Sequence, residues 1–143
     1  MSKLALAISI AAKAFENKTD KSGVPYILHC LWVMNNINSK EEDVKIAAVL
    51  HDLIEDCPDE YSFTKLTQLG FSDKTVGILH LLTHIKETPY DEYIKSIAVS
   101  KDATDIKLAD LRHNSDVTRL KGLRKKDIDR IEKYHRAYIY LSN

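Results

Sequence analysis

"AAVLHDLIEDC", residues 47–57, has the apolar spacing of a buried helix, yet it carries a histidine, three carboxylates and a cysteine. The order Val44, Ala47, Ala48, His51, Glu55 keeps one helical face, and Asp52, Glu55 and Asp56 stand three and four apart. An unpaired buried carboxylate is costly and neighbouring ones repel, so something positive must face them. A divalent cation does this best where imidazole and carboxylate ligands are both at hand.

The same period runs through the rest of the chain. Leu4, Ile8, Ala11 and Phe15 line one face of a first helix, and "NKTDKSGVP" at 17–25 breaks it. A second helix runs from about Tyr26 to Asn36. A third covers 40–56, started near Ser39 with acids in its first turn and stopped by Pro58. Further helices are predicted over 62–69, after Ser72, after Pro89, from about 103 to 120, and from 125 onward. On the last of these, Ile128, Ile131, His135 and Tyr138 share a face. Period-two alternation is absent, as are repeats and linkers. The prediction is a single all-α domain over 1–143, a bundle of roughly seven or eight helices.

Charge and composition exclude several classes. Basic and acidic residues balance at 21 each, so no overall surplus holds a nucleic-acid backbone. The local run "RLKGLRKK" at 119–126 reads as a solvated loop and helix start. Nothing approaches ~18 uninterrupted apolar residues, so no membrane span is expected. The opening segment reads as no signal peptide, since Lys13 interrupts its apolar run and no small-residue cleavage site follows. Cys30 and Cys57 form no C-x-x-C pair and are expected as free thiols in a reducing cytoplasm. Oligomeric state is left open.

A metal site needs three or four ligands. His29 in "PYILHC" and Asp110 in "IKLADLRHN" both sit in apolar surroundings. With His51 and Asp52 they make a four-ligand set from three helices, suited to Mn²⁺, Fe²⁺ or Zn²⁺. For Asp110, an ion pair with Lys107, three positions earlier, is the structural alternative. His80, His84, His113 and His135 read as hydrogen-bonded core histidines.

Three motifs in register, "DKSGVPYILH", "AAVLHDLIED" and "IKLADLRHN", resemble those of HD-domain metal-dependent phosphohydrolases. The match is closest to RelA/SpoT-type hydrolase domains and their small stand-alone relatives, the Mesh1-like alarmone hydrolases, and it covers roughly residues 3–141. The resemblance implies an all-α bundle and a metal, usually Mn²⁺, held by His29, His51, Asp52 and Asp110. It implies that Glu55 and Asp56 activate or orient the attacking water. The implied reaction removes pyrophosphate from the ribose 3′ position of guanosine tetra- or pentaphosphate, with the nucleotide as the partner. No room is left for a synthetase half, so hydrolysis alone is expected. Lys21, Tyr26 and Asn114 are the candidates for contacting that substrate.

The chain departs from the family pattern at three places. Asp20 stands where the family has an arginine that stacks on guanine, so the base stays open between (p)ppGpp and (p)ppApp. "ADLRHN" replaces the usual "ADRLHN", which turns Arg112 about 100° around the helix from the family position. Cys30 follows His29 in place of the common proline. Two further readings stand beside this one. The first is a phosphohydrolase of another nucleotide, with a 5′-nucleotide or the 2′-phosphate of NADPH as substrate. The second is a regulatory module without turnover.

Overall fold

Serine side chains set where several helices begin. In the computed structural model, which describes residues 2–143, Ser2 accepts from Ala5 N–H and opens α1 (Lys3–Ala14). Then follow α2 (Ile27–Asn36), α3 (Glu42–Val49), α4 (Leu53–Asp56), α5 (Phe63–Gln68), α6 (Asp73–Leu82), α7 (Tyr90–Ile97), α8 (Lys101–Asn114), a 3₁₀ turn (Val117–Arg119) and α9 (Lys125–Ser142). Ser62, Ser72 and Ser100 cap α5, α6 and α8 in the same way, each satisfying an N–H that a helix start leaves unpaired. Among the described residues there is no strand, only an isolated bridge between Thr19 and Pro25. The all-α expectation holds. The count of seven or eight holds when α3 and α4 are taken as one interrupted helix.

The core is built around α3. Val44, Ile46, Ala47, Ala48 and Val49 are all buried, and α3 packs against α1, α2, α6 and α8. α8 in turn packs against α2, α6 and α9. Phe15, Leu50, Leu53, Ile106 and Leu111 fill the space between them. Each such side chain contributes about 1.5–3 kcal/mol by leaving water. Both cysteines are free thiols.

Three local expectations change. The helix predicted over 40–56 breaks at 50–52, because Ala48 O receives both the His51 N–H (3.4 Å) and the His51 imidazole Nδ1 (2.7 Å). That carbonyl is the one a continuing helix would offer to Asp52 N–H. α8 stops at Asn114 rather than near 120. Beyond it Asp116 Oδ1 accepts from Thr118 N–H (3.0 Å), a local bond that competes with helix. On α9 the inward face is Asp127, Ala137 and Leu141, while Ile128 and His135 are exposed. Asp127 sets that phase by turning inward to accept from Arg124 N–H and Arg130.

Candidate metal centre and cleft

The break in the third helix is what brings neighbouring residues to one point. On a regular helix His51 and Asp52 would diverge by about 100°. Here Asp52 has φ −100° and ψ 0°, the bridge region where many active-site residues sit. His51 and Asp52 therefore meet His29 from α2 and Asp110 from α8, with one ligand atom of each within 4.8 Å of the others. His51 Nε2 lies 3.0 Å from Asp52 Oδ2 and 3.3 Å from Asp110 Oδ1. His29 Nε2 lies 3.0 Å from Asp110 Oδ1. All four residues singled out from the sequence come together.

The donor set fits a divalent cation. His51 Nδ1–H donates to Ala48 O (2.7 Å), which leaves the Nε2 lone pair facing the cluster. That Nε2 is buried and has no hydrogen-bond partner among the described residues. Two carboxylates balance a doubly charged ion, and imidazole with carboxylate suits Mn²⁺, Fe²⁺ and Zn²⁺. Without an ion the charges lean on one another. Burial opposes charge on His51, yet Asp52 and Asp110 hold its imidazole well above its ordinary pKa. Burial would likewise raise Asp110, but Lys107 and His51 hold it well below the usual carboxylate range.

A second layer of contacts fixes these ligands. Tyr26 Oη donates to Asp52 Oδ2. Asp110 Oδ2 accepts from Lys107 Nζ (3.0 Å) and Oδ1 from Asn114 Nδ2 (2.9 Å). The lysine pairing foreseen as an alternative to ligation uses Oδ2 and leaves Oδ1 facing the two histidines. His113, read from the sequence as a hydrogen-bonded core histidine, is half-buried and hydrogen-bonded, and the residue it meets belongs to the cluster. Its Nδ1 lies 2.7 Å from His29 Nδ1, and its ring stacks on Trp32 at 4.3 Å. Burial, with the Arg119 guanidinium close by, pushes His113 down to about 4, so it is neutral near pH 7. It can then accept from His29 Nδ1–H, which turns the His29 Nε2 lone pair toward the cluster. The signal was its position three after Asp110, on the same helical face. His113→Ala is expected to weaken metal affinity by about 10–100-fold, read by metal titration of the stripped protein.

The cluster opens into a cleft of two lobes. The inner lobe, about 340 Å³, is lined by His51, Asp52, Glu55, Asp56 and Lys107. The outer lobe, about 350 Å³, is lined by Lys21, Ser22, Arg119 and Arg130. Lys18, Tyr26, Asn114 and Tyr134 border both. Tyr26 and Asn114 therefore stand at the junction, and Lys21 lines the outer lobe but not the inner one. Glu55 Oε1 accepts from His84 N–H (2.7 Å), and desolvation of its carboxyl raises its pKa above the ordinary value. Asp56 pairs with Lys18 at 2.6 Å. Lys18, whose Nζ lies 4.1 Å from the centre of the Tyr26 ring, was missed because nothing in sequence separates it from Lys21 in the same loop.

Asp20 is occupied with its own loop. Its Oδ1 accepts from Ser22 N–H (2.8 Å) and Val24 N–H (3.0 Å), and its Oδ2 pairs with Arg119 Nη2 (3.2 Å). Gly23, at φ +83°, makes the tight turn between them. An arginine thus borders the outer lobe after all, supplied by the 3₁₀ turn and held by Asp20. Asp20→Ala is expected to destabilise the fold by about 1–2 kcal/mol, from two unsatisfied N–H groups and a freed guanidinium, read by denaturant titration. Arg112 points elsewhere, donating to Asn36 O (2.9 Å) beside Trp32, while Leu111 is buried.

Bundle and cluster agree with the all-α fold expected from the sequence, and the resemblance to RelA/SpoT-type hydrolase domains is met again among known proteins. The chain is 32% identical, over 133 aligned positions, to the bifunctional (p)ppGpp synthase/hydrolase SpoT of Escherichia coli K12. It matches equally the guanosine-3′,5′-bis(diphosphate) 3′-pyrophosphohydrolases of E. coli O157:H7 and Shigella flexneri. Each alignment covers 78% of this chain, and the chain spans about 17% of the length of those curated relatives. Among solved structures, a metazoan ortholog of SpoT, reported to hydrolyse ppGpp and to act in starvation responses, superposes with a TM-score of 0.79. That likeness is at 24% identity and covers 99% of this chain and 85% of the other. No protein-family model matches the chain.

Proposed function

We propose that this chain is a metal-dependent phosphohydrolase that removes the 3′-pyrophosphate of an alarmone nucleotide, (p)ppGpp or (p)ppApp. The observation that carries this is the His29–His51–Asp52–Asp110 cluster, one turn from two further carboxylates and open to a cation-lined cleft. The activities of these relatives point the same way. Mn²⁺ is the proposed ion, with Fe²⁺ and Zn²⁺ as alternatives, and the cytoplasm the proposed compartment. Among the described residues no helix is long and apolar enough to cross a membrane.

When bound, the ion supplies Lewis-acid stabilisation of phosphoryl charge and makes water acidic near neutral pH. The chain's own residues do the rest. Glu55 accepts the proton of the attacking water, since desolvation raises its pKa above the ordinary glutamate value and His84 N–H fixes its orientation. Asp56 holds Lys18, which meets the phosphate oxygens at the mouth of the inner lobe. Water oxygen bonds to the phosphorus next to O3′, the P–O3′ bond breaks, and the proton returns to O3′. Tyr26 and Asn114 position the ribose at the junction of the lobes, and Lys21 binds phosphate in the outer one. A product screen with Mn²⁺ over ppGpp, ppApp, 5′-nucleotides and NADPH tests the reading. Pyrophosphate from the 3′-pyrophosphates alone is expected. Orthophosphate from a 5′-nucleotide or NADPH, with no pyrophosphate, would replace it by another nucleotide phosphohydrolase.

A further inference from the structure

The α6–α7 connection, residues 83–89, touches the chemistry through one atom, the His84 N–H that reaches Glu55 Oε1 at 2.7 Å. Among the described residues, that is the only hydrogen bond joining 84–88 to another part of the fold. Burial does little to hold the segment. Ile85, Lys86, Glu87 and Pro89 are exposed, Ile85 by 64%, and Thr83, His84 and Thr88 are half-buried. Pro89 starts α7 without a side-chain cap bond. A connection with so few buried apolar contacts opens at small cost, yet a hydrogen bond to Glu55 needs its donor held in direction as well as distance.

The His84 side chain supplies the order that burial does not. Its Nε2 lies 2.7 Å from Thr88 O, and since a carbonyl only accepts, Nε2–H is the donor. Inside the ring so closed, Thr88 N–H donates to Ile85 O (2.9 Å). The imidazole stacks on Tyr93 at 4.5 Å with 22° between the planes, and meets Tyr90 edge-on at 6.1 Å. Tyr93 is itself buried, and its Oη donates to Leu82 O (2.6 Å) at the end of α6. One imidazole therefore closes the connection and pins it to the first turn of α7.

Resting on the proposed reaction, in which Glu55 takes the proton of the attacking water, we propose that the His84 imidazole is a positioning group. By closing residues 84–88 against Tyr93 it aims its own backbone N–H at Glu55 Oε1, and so fixes the direction of the proton acceptor. In this role it acts through Glu55 and not on the ion or the phosphates. Without the ring the connection loosens, the N–H wanders, and the Glu55 carboxylate turns freely about its own stem. Misdirection of a reacting group by about 1 Å costs up to about 10²-fold in rate.

Kinetics and hydrogen exchange on the full chain with Mn²⁺ test this. His84→Ala is expected to lower kcat about ten- to a hundredfold, with KM within about twofold and bound metal unchanged. His84→Gln, whose side-chain N–H can reach Thr88 O as Nε2–H does, is expected to restore most of that loss. In a Glu55→Gln background, His84→Ala is expected to add nothing, because the group it orients has already lost its function. Exchange of the His84 amide, which needs no turnover, is expected to be slow in the wild type and in His84→Gln and fast in His84→Ala. An equal loss from His84→Ala in both backgrounds, a loss of bound metal, or an unchanged kcat overturns the positioning role. A slowly exchanging His84 amide in a wild type that releases no pyrophosphate overturns the proposed reaction instead.

Discussion

Asp52→Asn is expected to lower kcat/KM by at least ~10³-fold and to abolish stoichiometric metal binding. Asp52 Oδ2 sits 3.0 Å from His51 Nε2 and also accepts from Tyr26 Oη, so the carboxylate occupies the centre of the cluster. The amide keeps the shape but removes one of the two negative charges that balance a divalent ion. Loss of several kcal/mol of phosphoryl charge stabilisation corresponds to a rate effect of that size. Asp52 is a better test than Asp110. Replacing Asp110 would strand the half-buried Lys107 ammonium that it neutralises at 3.0 Å, and breaking a fully buried pair costs about 3–5 kcal/mol of stability, an upper bound here. Metal content counted beside a thermal melt separates the two effects. An Asp52→Asn protein that folds and still binds one ion would remove Asp52 from the ligand set.

Glu55→Gln is expected to lower kcat by about 10²–10⁴-fold with metal binding unchanged. Glutamine retains an acceptor for His84 N–H, so the loop after α6 keeps its anchor. What is lost is the proton acceptor of the proposed mechanism. In the wild type the active form is the carboxylate, and desolvation raises the Glu55 pKa. Activity therefore falls as pH drops through that raised value, and the acid limb of kcat sits above the ordinary glutamate range of about 4.3. Asp56→Asn, which only frees Lys18, is expected to raise KM more than it lowers kcat. If the two variants exchanged these effects, the roles of the two carboxylates would be exchanged with them.

Much of this site could be read from residues alone because its signal is chemical. A histidine and three carboxylates on an apolar helix demand a counter-charge, and His29 and Asp110 were the buried-type partners on offer. The helices were legible for a similar reason, since apolar spacing, the stop at Pro58 and the cap at Ser72 are local, although the start read near Ser39 falls at Glu41, which makes no side-chain cap bond. Features that depend on which neighbour a side chain meets were not legible. The break at 50–52 arises from His51 reaching back to Ala48 O, and a helical pattern alone carries no sign of it. His113 looked ordinary because its partner, His29, lies 84 positions away in the chain. Lys18 and Lys21 looked alike until the turn around Asp20 and Gly23 sent one to the carboxylates and the other outward. Asp20 looked like a defect in base recognition. Its carboxylate instead shapes the loop and holds Arg119 at the cleft.

The most direct test is pyrophosphate release from ppGpp and ppApp by metal-stripped protein as Mn²⁺ is added back, with bound ion counted in the same samples. The result expected is one ion per chain and release that rises with its occupancy, with loss of both in Asp52→Asn. Release that ignores added metal, or no release from either nucleotide at full occupancy, would contradict a metal-dependent 3′-pyrophosphohydrolase built on these four residues.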